Sequence, residues 1–162
     1  MRRRLLLLAA SVLLLTAGSS APFPGSPHWK RHGDQVYIAV VFKPSAYPVK
    51  AVVRRAMADW SAARYVQLIQ RETCPSRCIV VRGTAMNGGR ASVSWDGDGH
   101  IWRTGILLDN SLPIDRQRRN AACHELGHTL GLAHGTTAGP CVNGRPTAWD
   151  LALVDKLHSH RH

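Results

Sequence analysis

The fold class this chain predicts is a single α+β domain, and three observations predict it. Runs of β-branched and aromatic residues alternate with two helical patterns, glycine-rich turns separate the runs, and 162 residues leave room for one domain but not two. Hydrophobic residues make up 44% and charged residues 19%, which suits a packed core and excludes a disordered chain.

The first 20 residues stand apart from that core. Arg2–Arg4 form a basic start, Leu5–Leu15 an apolar run, and Thr16–Ala21 a small-residue stretch that a signal peptidase could cut. The run is short for a bilayer and no second one follows, so export without stable membrane insertion is expected, a signal anchor or cell-wall association being the alternatives. Residues 21–34, rich in Pro, Gly and Ser, read as a leader or linker. The formal charge of +11 falls to about +8 once the signal arginines are gone. The remaining arginines are scattered, and no basic stripe interleaved with aromatics points to nucleic acid.

Gln35–Phe42 reads as a buried strand closed by Pro44 and Pro48. From Val49 to Ile69 the three- and four-residue recurrence of Val49, Val52, Val53, Ala56, Met57, Trp60 and Ala63 predicts one long helix. Cys74-Pro-Ser-Arg-Cys78 is a tight turn into a short strand over Ile79–Arg82, and a disulfide across it would tie the two together. Four cysteines in an exported chain suggest two disulfides, with three pairings open in principle. Asn87-Gly-Gly89 is a turn, Ala91–Trp95 a half-exposed strand, Asp96-Gly-Asp-Gly99 a hairpin turn, and Trp102–Asp109 a further strand. The two aspartates of that turn offer too few oxygens for calcium, so a structural calcium ion is possible but not favoured.

A second helix is predicted from Asp115 to Leu132, after a loop at Ser111–Asp115 that supplies an N-cap. It carries His124-Glu-Leu-Gly-His128. Positions four apart lie on one helix face, so two imidazoles can reach one ion, while Glu125 points beside it as a candidate general base. Gly131 stands where the chain must leave the helix, and His134 follows within reach as a third ligand. Three neutral nitrogens leave a fourth zinc position open, which is the catalytic arrangement. The histidines at 158, 160 and 162 read as an exposed tail, with residues 159–162 outside the domain.

The full string His124-Glu-Leu-Gly-His-Thr-Leu-Gly-Leu-Ala-His134 resembles the metzincin signature, and the chain from residue 35 to 158 resembles small secreted bacterial matrixin-like zinc peptidases. The resemblance implies a metzincin-like fold. Its parts would be a twisted mixed sheet with an antiparallel edge strand, a long helix, the zinc helix and a small C-terminal part ending in a helix opened by Pro146–Asp150. It implies one catalytic zinc, hydrolysis of peptide bonds in protein or peptide substrates, and action as a monomer. Ala91–Trp95 would be the rim strand that pairs with substrate, and Gly144–Ala148 would wall part of the specificity pocket. The chain departs from the family at the methionine turn, where Val142 takes the position of methionine. Cys123 and Cys141, each preceding one of these landmarks, would then bridge the zinc helix to that turn, leaving Cys74 with Cys78. The valine motivates an alternative, a zinc-binding protein with weak or lost proteolysis; a secreted basic module with structural zinc is the other.

Overall fold

The computed structural model describes residues 27–113, 115–134, 140–141 and 143–162. Strand β1 (Val36–Phe42) leads through a 3-10 turn (Pro44–Val49) into helix α1 (Lys50–Trp60), and strand β2 (Val66–Arg71) follows. Strands β3 (Cys78–Thr84), β4 (Gly89–Trp95) and β5 (Ile101–Asp109) precede helices α2 (Asp115–Thr129) and α3 (Ala148–Leu157). The sheet order is β2-β1-β3-β5-β4. Every neighbouring pair is parallel except β4 with β5, so β4 is an antiparallel edge.

Alternation along the central strands builds the core. Ile38 and Val40 of β1, Ile79 and Val81 of β3, and Ile106 and Leu108 of β5 meet Val53, Met57 and Trp60 of α1 and Leu126 of α2. The other face of β1 and β3 carries only a small cluster of Ala39, Val41 and Cys78, so the helices form one layer over one side of the sheet. Trp60 is fully buried, and its indole N–H donates to the Cys123 carbonyl at 2.9 Å, which sets α1 against α2.

Four sequence expectations are corrected. The long helix ends at Trp60, and its expected last turns are strand β2, paired in parallel with β1 from Val36–Val66 to Val41–Arg71. Val66 and Leu68 are buried at a spacing of two, and Ser61 Oγ accepts the Leu68 N–H at 3.0 Å, closing the turn. The leader is packed from Pro27 onward: Trp29 is 3% exposed and donates its indole N–H to the Thr129 carbonyl at 2.8 Å. His158 is no tail residue but is fully buried, accepting the Trp29 N–H at 3.2 Å while its Nδ1 donates to the Val154 carbonyl at 2.8 Å. Burial holds its pKa down at about 4, so the ring is neutral at ordinary pH. At its far end α2 stops at Thr129, short of the expected Leu132.

Both expected disulfides are formed, Cys74–Cys78 and Cys123–Cys141. The second closes a separation of 18 residues, so replacing both cysteines by serine is expected to cost about 3 kcal/mol in the chain-entropy account. Chemical denaturation of the double variant beside the parent checks this, and an unchanged midpoint would remove the disulfide from the stability of the α2 region. Among the described residues no helix is long and apolar enough to cross a membrane.

Candidate active site

Helix α2 presents His124 and His128 one turn apart, and the chain that follows returns His134 to the same point. The return is made by the helix end. Gly131 has φ +91°, its N–H donates to the His128 carbonyl at 3.0 Å, and the Leu132 N–H donates to the Gly127 carbonyl at 3.2 Å. This paired closure, with glycine in the left-handed region, reverses the chain directly after the helix. The Nε2 atoms of His124, His128 and His134 then lie 3.0 Å from one another in all three pairs.

The outer nitrogens fix the state of the inner ones. Nδ1 of His124 lies 3.0 Å from the Pro140 carbonyl and Nδ1 of His128 lies 2.7 Å from the Leu132 carbonyl. A carbonyl only accepts, so both rings carry their proton on Nδ1 and turn bare Nε2 lone pairs inward. Burial holds the pKa of both rings below the ordinary histidine value, which keeps them neutral. Lone pairs facing each other at this distance repel unless a cation lies between them. A tetrahedral ion with nitrogens about 2.0–2.1 Å away would separate those nitrogens by about 3.4 Å, close to the spacing observed. The donor set thus fits a borderline metal such as zinc.

Glu125 lies beside this point, 7% exposed. Burial pushes its carboxyl above the ordinary carboxylate range, while the neighbouring His128 ring and the Ala91 N–H act in the opposite direction. The carboxyl rests on the start of β4, where a Cβ on Gly89 would come 2.8 Å from Glu125 Cγ and 2.9 Å from Oε1. Gly89→Ala is therefore expected to displace the carboxyl and to lower turnover by tenfold or more, since a shift of about 1 Å at a reacting group can cost about a hundredfold. Steady-state kinetics together with metal content tests it; unchanged kinetics would show that the Glu125 carboxyl yields without consequence.

An open cleft of about 670 Å³ contains the three histidines and Glu125 and is walled by Gly89, Ala91, Val93 and Trp95 of β4 and by Pro27. Among its described lining residues none comes from Gly144–Ala148, the stretch expected to wall a specificity pocket. Val142 lies outside the described residues, and so does Ile114 of the expected N-cap loop. Ser111 Oγ bonds Asp109 Oδ1 at 2.6 Å. Asn143 and Gly144 both have positive φ, so the chain does turn sharply beside Cys141.

Sequence reasoning named the three histidines, Glu125 and Gly131. It missed the Pro140 and Leu132 carbonyls, the Ala91 N–H and Pro27, because backbone groups leave no trace in residue type. Gly89 left a trace in the Gly88-Gly89 pair, which was read only as a turn.

The sheet order, the edge strand and the two packed helices can be set against solved structures. Over 89% of this chain and 100% of the other, the structure matches high choriolytic enzyme 1, a hatching-enzyme zinc protease from the medaka fish Oryzias latipes, with a TM-score of 0.61 at 12% identity. The chain shares its fold with a zinc protease. Myroilysin aligns over 65% of this chain and 52% of its own, with a TM-score of 0.49 at 17% identity. No family sequence pattern matches the chain.

Proposed function

We propose that the chain is a secreted zinc endopeptidase of the metzincin type, matrixin-like in size, with His124, His128 and His134 as zinc ligands and Glu125 as general base. One observation carries the reading. Three imidazole nitrogens, mutually 3.0 Å apart, converge in an open cleft beside a buried carboxyl.

Zinc, when bound, supplies Lewis acidity towards the scissile carbonyl and makes water a nucleophile near neutral pH. The residues do the rest. Glu125 takes a proton from the attacking water at its carboxylate, the oxygen adds to the carbonyl carbon, and the C–N bond breaks as Glu125 returns the proton to the amine nitrogen. Its raised pKa suits both halves of that transfer. The Pro140 and Leu132 carbonyls hold the ligand rings in the required tautomer, and the Cys123–Cys141 bridge holds Pro140 against α2. The outer edge of β4 borders the cleft, and an extended protein or peptide substrate pairs with it as an added strand.

The two disulfides and the basic, apolar start of the chain support export and an extracellular site of action. Digestion of a peptide library by the mature protein, with and without a chelator, tests the activity. Cleavage that a chelator abolishes and added zinc restores is expected. A protein that binds zinc yet cleaves nothing would be the non-proteolytic zinc binder that Val142 motivates.

A further inference from the structure

A second group of histidines lies outside the cleft, and it joins three distant parts of the chain. The His28 Nε2 is 3.1 Å from the His162 Nε2, and the His100 Nε2 is 3.2 Å from the His162 Nδ1. The ligand atoms of these three residues all lie within 4.8 Å of one another. The His160 Nε2 lies 2.9 Å from the His28 Nε2.

The backbone builds this convergence. His28 and His100 pair as a parallel bridge, with the His28 N–H donating to the Gly99 carbonyl at 3.0 Å and the Ile101 N–H to the His28 carbonyl at 2.8 Å. The last residues are held as firmly: the His162 N–H donates to the Arg31 carbonyl at 3.0 Å, Arg161 pairs with Asp34 at 2.5 Å, and Arg31 donates to the Ser159 carbonyl. His100 is itself buried.

Imidazoles at this spacing have three ways to coexist. Charged rings would repel in a chain that is already strongly basic. Neutral rings could bond to each other, each donating its one proton. Asp96 Oδ1 stands 3.6 Å from the His100 Nδ1, and it is the Nε2 of that ring that faces His162. The same Asp96 oxygen accepts the N–H groups of Asp98 and His100, so it holds the turn that carries His100. Convergence of the ligand atoms of His28, His100 and His162 within 4.8 Å of one another is also the arrangement that a shared cation would produce.

We propose that His28, His100 and His162 form a second, structural zinc-type site, with His160 beside the fourth position. Imidazole nitrogens suit zinc, and His160, its Nε2 2.9 Å from that of His28, stands where a fourth ligand would close the set as in a structural site. The ion staples the segment before β1 to the β4–β5 turn and to the end of the chain. Its effect reaches the cleft through the neighbours of His28: Pro27 lines the cleft, and Trp29 donates to the carbonyl of Thr129 at the end of α2.

The full mature chain, dialysed against zinc and then freed of loose metal, is expected to hold two equivalents by elemental analysis. His162→Gln, an exposed position, and His28→Gln should each reduce this to one. His128→Gln, which addresses only the catalytic triad of ligands, should also leave one, and combining it with His162→Gln should leave none. A parent chain holding one equivalent that His162→Gln does not remove would overturn the proposal. So would a second equivalent that His28→Gln leaves in place, because metal held by the C-terminal histidines alone needs no partner in the fold. Either failure leaves the catalytic reading intact, since the His128 arm reports on that site separately.

Discussion

Glu125→Gln is expected to keep zinc at full stoichiometry and to lower turnover by about a hundred- to ten-thousandfold, the range that a positioned general base supplies. The amide matches the carboxyl in size, so it fills the same space against Gly89 and can still accept the Ala91 N–H. What it lacks is a site basic enough to take a proton from water. The three imidazoles and their carbonyl partners are untouched, so metal affinity and melting temperature are expected to stay near those of the parent. Elemental analysis, a thermal melt and peptide turnover on one preparation make the test. Near-parental turnover would remove Glu125 from the role of base, while loss of metal would show that the carboxylate holds the ion in place.

Gly131→Ala is expected to be the most destabilising single change near the site, costing about 4 kcal/mol. A side chain at φ +91° is strained by about 1–2 kcal/mol. The added Cβ would also collide with the Pro27 carbonyl oxygen, which is backbone and cannot swing aside. Relief requires moving the Pro27–Trp29 segment off the end of α2, and that gives up the burial of Trp29 and its bond to Thr129. His134 lies three residues beyond the glycine, so zinc affinity should fall along with stability. Denaturant unfolding and a zinc competition assay check the two effects. A variant as stable as the parent would show that the segment before β1 is not docked against the helix end.

The zinc helix was legible because its chemistry is local. His124 and His128 are fixed relative to each other by helical pitch alone, and Gly131 marks its own backbone requirement. Strand β2 was not legible for the opposite reason. Val66 and Leu68 continue an apolar spacing that a helix could also use, and what makes them a strand is pairing with β1, a partner 30 positions earlier in register. The histidine at 158 was misread on similar grounds. A polar residue near a chain end looks solvated until the structure shows Trp29, 129 positions away, donating to it.

Residue type and spacing alone gave the set of groups available for chemistry: two histidines and a glutamate at helical spacing, a glycine at the exit with a third histidine beyond it, and cysteines at either end of the site. Those follow from short-range geometry, where residue type and spacing suffice. Which carbonyls hold the ligand rings, and that both ends of the described chain meet at a second cluster of histidines, emerged only from the packed fold. Each of these joins backbone or side chains far apart in sequence, and such a contact is set by how the layers pack rather than by any residue's own preference.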